Sequence, residues 1–90
     1  MKKAIIINDN SVLYELMGAI NCSDEIVPTR AELETKGDNV KVSIYYTDSN
    51  FNTVLYYFET IERNNLPLEA NKLLKGFLKE NQNTLILCYI

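Results

Sequence analysis

The sequence predicts one small α+β domain spanning residues 1–90, with two helices and a mainly antiparallel sheet of four or five strands in the order β-α-(β)-β-β-α-β. Three observations carry this prediction. Residues 40–47 and 54–63 are two arms rich in β-branched and aromatic side chains, separated by a polar cluster. Two further stretches repeat apolar residues at helical spacing, and residues 84–90 are apolar almost throughout. Three Gly and two Pro in 90 residues leave little room for irregular chain. So short a chain cannot build a second core.

Residues 3–8 form an apolar run of strand length that stops at Asn8, Asp9 and Asn10. Asp9, Asn10 or Ser11 can cap a helix. Val12, Leu13, Leu16, Met17 and Ile20 then share one face of that helix, which ends near Asn21, while Tyr14, Glu15 and Gly18 face solvent. Residues 21–28 read as a connection. Residues 29–35 admit a helix opened by Pro28, but Ala31, Leu33 and Thr35 alternate with Arg30, Glu32 and Glu34, which favours a strand. This is the bracketed element, and a turn at Lys36-Gly37-Asp38-Asn39 would join it to the next.

In the 40–47 arm Val40, Val42, Ile44 and Tyr46 fall on one face, and Lys41, Ser43, Tyr45 and Thr47 on the other. Residues 54–58 are apolar on both faces, which suits a strand inside a sheet. Pro67 belongs to the first turn of a second helix, whose stripe of Ala70, Leu73, Leu74, Phe77 and Leu78 opposes Lys72, Lys75 and Lys79. Residues 81–83 end it, and the last strand follows.

Without the bracketed strand the order is that of a ferredoxin-like fold, an architecture that hosts many functions. In a plain ferredoxin-like sheet the last strand lies at an edge, and an apolar edge invites pairing. The expectation is that the extra strand or the first helix covers it, or that a homodimer buries it.

Functional chemistry is constrained mainly by what is missing. The chain has no His, which removes the usual acid–base partner and the commonest metal ligand. Cys22 and Cys88 lack CxxC spacing, and no Gly-rich loop precedes either helix. These absences predict a non-enzymatic protein with no cofactor and no metal; catalysis by carboxylates, Lys or Tyr alone is the residual enzymatic reading. A net charge of −3 argues against a generic grip on nucleic acid, and carboxylates this sparse do not imitate DNA. The apolar run at Ala4–Ile7 is too short for a signal peptide, and no stretch approaches the roughly 20 residues of a membrane span. A cytoplasmic location follows as the expectation, with Cys22 and Cys88 as reduced, buried thiols.

The loop Asn8-Asp9-Asn10-Ser11 could offer backbone N–H groups to an anion, but Asp9 would repel it, so capping is the better reading. Lys72, Lys75 and Lys79 read as a solvated helix face. Tyrosines on a sheet face, Tyr45 and Tyr57 among them, can stack bases, yet the basic motif of RNA-recognition sheets is absent. Cross-strand packing or a protein interface suits them better. Among the acidic residues, Glu32 and Glu34 could meet a basic partner surface. The partner-binding candidates are therefore Glu32, Glu34, Tyr45 and Tyr57.

The reading reached is a small acidic protein-binding module. Asn, Ile, Lys and Tyr supply 33 of the 90 residues, types that use AT-rich codons, which suggests a phage or mobile element of a low-GC bacterium. The expected role is inhibition of a host defence enzyme, such as a nuclease or another nucleic-acid-binding enzyme, with no direct contact to nucleic acid or membrane. The alternative is a small-molecule or nucleotide-binding module working as a homodimer.

Overall fold

The computed structural model describes residues 2–78 and 83–89, Leu78 through its backbone. The elements are β1 (Lys2–Ile7), α1 (Ser11–Ala19), β2 (Pro28–Lys36), β3 (Asn39–Thr47), β4 (Thr53–Glu62), a 3-10 turn (Arg63–Asn65), α2 (Leu68–Leu78) and β5 (Thr84–Tyr89). The expected positions Lys79, Asn81 and Ile90 lie outside the described residues.

The ends of α1 are set by local chemistry. The Asp9 carboxylate accepts the Ser11 N–H at 2.9 Å and the Ser11 hydroxyl, satisfying a donor the helix cannot pair. At the other end of α1, Asn21 takes a left-handed φ of 54°, with its N–H on the Gly18 carbonyl and the Cys22 N–H on the Met17 carbonyl. This is a Schellman ending, in which Asn replaces the usual Gly. In α2, Ala70, Leu74 and Phe77 are buried and Leu73 is half-buried, while Lys72 and Lys75 are exposed.

The five strands form one sheet in the order β1-β5-β2-β3-β4. Only β1 and β5 are parallel; the other pairs are antiparallel. The strand reading of residues 29–35 holds as β2, which leads into β3 through a two-residue turn with Gly37 at φ 62°. Arg63 secures this turn by donating from Nη2 to the Gly37 carbonyl at 2.8 Å and from its N–H to the Asp38 carbonyl at 2.9 Å. The β3–β4 turn is organised by Asp48, whose Oδ1 accepts the N–H groups of Asn50 and Asn52.

Both helices cover the same face of this sheet. Val12, Leu13, Leu16, Met17 and Ile20 meet Ala31, Leu33, Val40, Val42, Ile44, Leu85 and Leu87 in one core, with Ala70, Leu74 and Phe77 completing it. Full burial of each large side chain contributes about 1.5–3 kcal/mol. No helix among the described residues is long and apolar enough to cross a membrane.

Three expectations change. The ferredoxin-like topology is not confirmed: the first and last strands, β1 and β5, pair in parallel, and β5 lies inside the sheet, whereas in a ferredoxin-like sheet the last strand lies at an edge, antiparallel to the first. The strand over residues 54–58, expected inside the sheet, is also at an edge: β4 is paired only with β3 among the described residues, while β5 lies between β1 and the extra strand β2, which covers it as one of the expected arrangements. Thirdly, Cys22 and Cys88 are free thiols as expected but only half-buried.

Candidate functional site

The helix-free face of the sheet is built by the alternate residues of every strand, and the register places them in rows. One row runs Lys2, Thr84, Glu34, Lys41, Thr60; the next Ala4, Ile86, Glu32, Ser43, Phe58; the third Ile6, Cys88, Arg30, Tyr45, Leu55. Leu55 and Phe58 are three residues apart, so strict alternation would put them on opposite faces. A β-bulge reconciles them: Ile44 pairs with Tyr57 and Tyr45 with Leu55, leaving Tyr56 as the extra residue. Tyr56 anchors the bulge, its Oη 2.9 Å from Ser23 Oγ and its ring edge-on to Tyr46 at 6.0 Å.

At the centre of this face the charges pair with their neighbours. Arg30 Nη2 lies 3.1 Å from Glu32 Oε2, and the guanidinium sits over the Tyr45 ring, 5.6 Å from its centroid. Lys36 approaches Glu34 at 3.8 Å, and Lys41 Nζ lies 4.6 Å from the centroid of the Phe58 ring. Burial pushes the Tyr45 phenol above its ordinary pKa; the Glu32 carboxylate adds to the shift and Arg30 opposes it. Tyr45 therefore stays neutral at physiological pH.

Around this centre lie exposed apolar side chains: Leu55 and Phe58 on one flank, 46% and 52% exposed, and Ile6 on the other, 61% exposed. The polar dent between Lys2, Glu34, Lys41 and Tyr45 holds only about 130 Å³. Drug-sized ligands need about 300 Å³ or more, so the face suits a broad partner and not a small molecule. Among the described residues no three Cys, Asp or Glu side chains converge on a common point that could hold a metal ion.

Three of the four sequence candidates meet on this face. Glu32, Glu34 and Tyr45 are neighbours on β2 and β3, whereas Tyr57 pairs with Ile44 and so shares the helix-covered side, 40% exposed at the sheet edge. The engagement of Glu32 with Arg30 has a consequence for experiments: reversing its charge would set two cations together under Tyr45. Glu34, paired loosely and half exposed, is the cleaner probe. Arg30, Phe58, Leu55 and Ile6 were not singled out from the sequence. Arg30 could have been, since it shares the period of Glu32 and Glu34; Phe58 could not, because only the bulge turns it to this side. Elsewhere, burial raises the Cys22 thiol pKa, which keeps it from the reactive thiolate form.

Compared with protein families, curated proteins and solved structures, the chain matches none.

Proposed function

We propose that this chain is a cytoplasmic, non-enzymatic protein-binding module whose working surface is the helix-free face of the sheet. The observation that carries the reading is the placement of Ile6, Leu55 and Phe58, large and exposed, around the Arg30–Glu32–Tyr45 cluster. Apolar anchors set among paired polar groups are the composition of a protein interface. Five strands about 4.8 Å apart, each about 20–33 Å long, cover roughly 500–700 Å². A standard interface needs about 800 Å² per partner, so the face accounts for most of one.

Charge gives this surface a direction. Its three rows hold Lys2, Arg30 and Lys41 against Glu32 and Glu34, a balance of one positive charge on a chain whose net charge is −3. The net negative charge of the whole chain favours encounter with a basic protein, while the near-neutral face leaves docking to its apolar anchors, which fits a nucleic-acid-binding host enzyme such as a defence nuclease, blocked by a phage- or mobile-element-encoded inhibitor. A second copy of the chain is the competing occupant, because a near-balanced face lets two copies approach with little repulsion.

The test uses immobilised protein, lysate of a low-GC bacterial host, and then the purified retained protein. Leu55→Ser combined with Phe58→Ser should weaken the reconstituted one-to-one complex at least tenfold, and Lys75→Glu on the far side should leave it unchanged. Equal affinity for all three proteins removes the sheet face from the reading. Sedimentation of the same variants reports self-association, and a dimer lost on the double substitution would assign the face to a second copy.

A further inference from the structure

The opposite edge of the molecule holds a different kind of surface. β1 is paired with β5 on one side and with no strand among the described residues on the other, leaving a row of outward backbone N–H and C=O groups. A groove of about 670 Å³ lies against the second half of β1, residues 5–7, bounded by the N-terminal halves of α1 and α2. Ile5, Ile7, Val12 and Leu73 give it an apolar floor, and Leu68, 70% exposed, stands at its rim.

Three carboxylates border the groove, those of Asp9, Glu15 and Glu69, and among the described residues no Lys or Arg does. Capping accounts for some of this acidity. Asp9 serves the N-terminus of α1, and Glu69 lies in the first turn of α2. Each helix N-terminus is equivalent to about +0.5 of a charge, so two of them against three carboxylates leave about −2 in the groove. Glu15 lies in the middle of α1, where no capping role explains it, and neither Glu15 nor Glu69 has an ion-pair partner among the described residues. A phosphate would be repelled here in spite of the two helix ends. A cation on an apolar stem fits both the floor and the rim, since long basic side chains lay their methylenes on apolar surface and keep the charge at its edge.

We propose that this groove receives an extended, basic segment of another protein, which adds a sixth strand along β1 and lays Lys or Arg side chains over Ile7 and Leu68 toward Glu15 and Glu69. Backbone pairing supplies the grip and the carboxylates supply the selection, as in other strand-addition sites. This site adjoins the sheet face proposed above and shares Ile6 with it, but its carboxylates and open edge lie outside that face, so either can fail without the other.

A display library of random decapeptides, selected on the full chain, tests the proposal. The expected consensus alternates apolar residues and carries at least two Lys or Arg. The best synthetic decapeptide should bind at least tenfold more weakly to Glu15→Gln/Glu69→Gln, and with unchanged affinity to Leu55→Ser/Phe58→Ser. N-methylation of every second backbone amide in one of the two registers should abolish binding to the unaltered protein, a measurement that does not depend on any variant folding. An acidic or uncharged consensus, no enrichment at all, equal binding to the Gln variant, or tolerance of N-methylation in both registers would each overturn it.

Discussion

The guanidinium of Arg30 lies over the ring of Tyr45, 5.6 Å from its centroid, while the same guanidinium holds Glu32 at 3.1 Å. One cation thus serves a neighbour on its own strand, Glu32, and one across the ladder, Tyr45, and the stack itself is worth about 0.5–1 kcal/mol.

The Tyr45 phenol should report this arrangement. Its pKa is raised in the folded state by burial first and by Glu32 second, so the folded chain holds the proton more tightly than the unfolded one. The linked stability is complete below about pH 10, the ordinary phenol value, and is lost as the pH rises through the higher folded value. A difference titration of tyrosinate absorbance between the unaltered protein and Tyr45→Phe should isolate one phenol ionising late. Glu32→Gln should move it down and Arg30→Met should move it up; the reverse order would contradict the geometry.

The face that α2 presents to the core is tested by Phe77 and Lys75, two residues apart and on opposite sides. Phe77 is buried in the core and Lys75 is exposed. Phe77→Ala should lower stability by about 3–5 kcal/mol, a large share of the roughly 5–15 kcal/mol of an ordinary domain. Lys75→Ala should stay within about 0.5 kcal/mol. Urea unfolding measures both, and equal losses would mean that the helix is rotated.

A similar contrast tests the positions of the two apolar strands. Leu87 on interior β5 is fully buried, and Leu55 on edge β4 is 46% exposed. Leu87→Ala should cost about 2–5 kcal/mol and Leu55→Ala under about 1 kcal/mol. Comparable costs would show that β4 is covered.

Much of the site was legible before the fold was known. Glu32 and Glu34 share a face because strands have a period of two, and Tyr45 joins them because Gly37-Asp38 sets the register of β2 on β3. Phe58 was hidden by the bulge at Tyr56, a single extra residue that reverses the parity of the strand beyond Leu55. The groove along β1 was hidden for another reason, since it combines residues from three elements far apart in sequence.

By itself, the sequence determined the elements. Helical spacing from Val12 to Ile20 and from Ala70 to Phe77, and alternation from Val40 to Ile44, each state which side of an element is buried, because burial of side chains is what such patterns record. Tertiary structure alone decided the order of strands. Residues 54–58 read as interior and lie at an edge, and of the three covers open to β5, the extra strand, the first helix or a second copy, it is the extra strand β2 that pairs with it. The physical reason is that a strand acquires its neighbours through backbone N–H and C=O groups, which every residue except proline carries alike. Side chains specify which face is covered, and only the packing of the whole chain specifies which edge is left open.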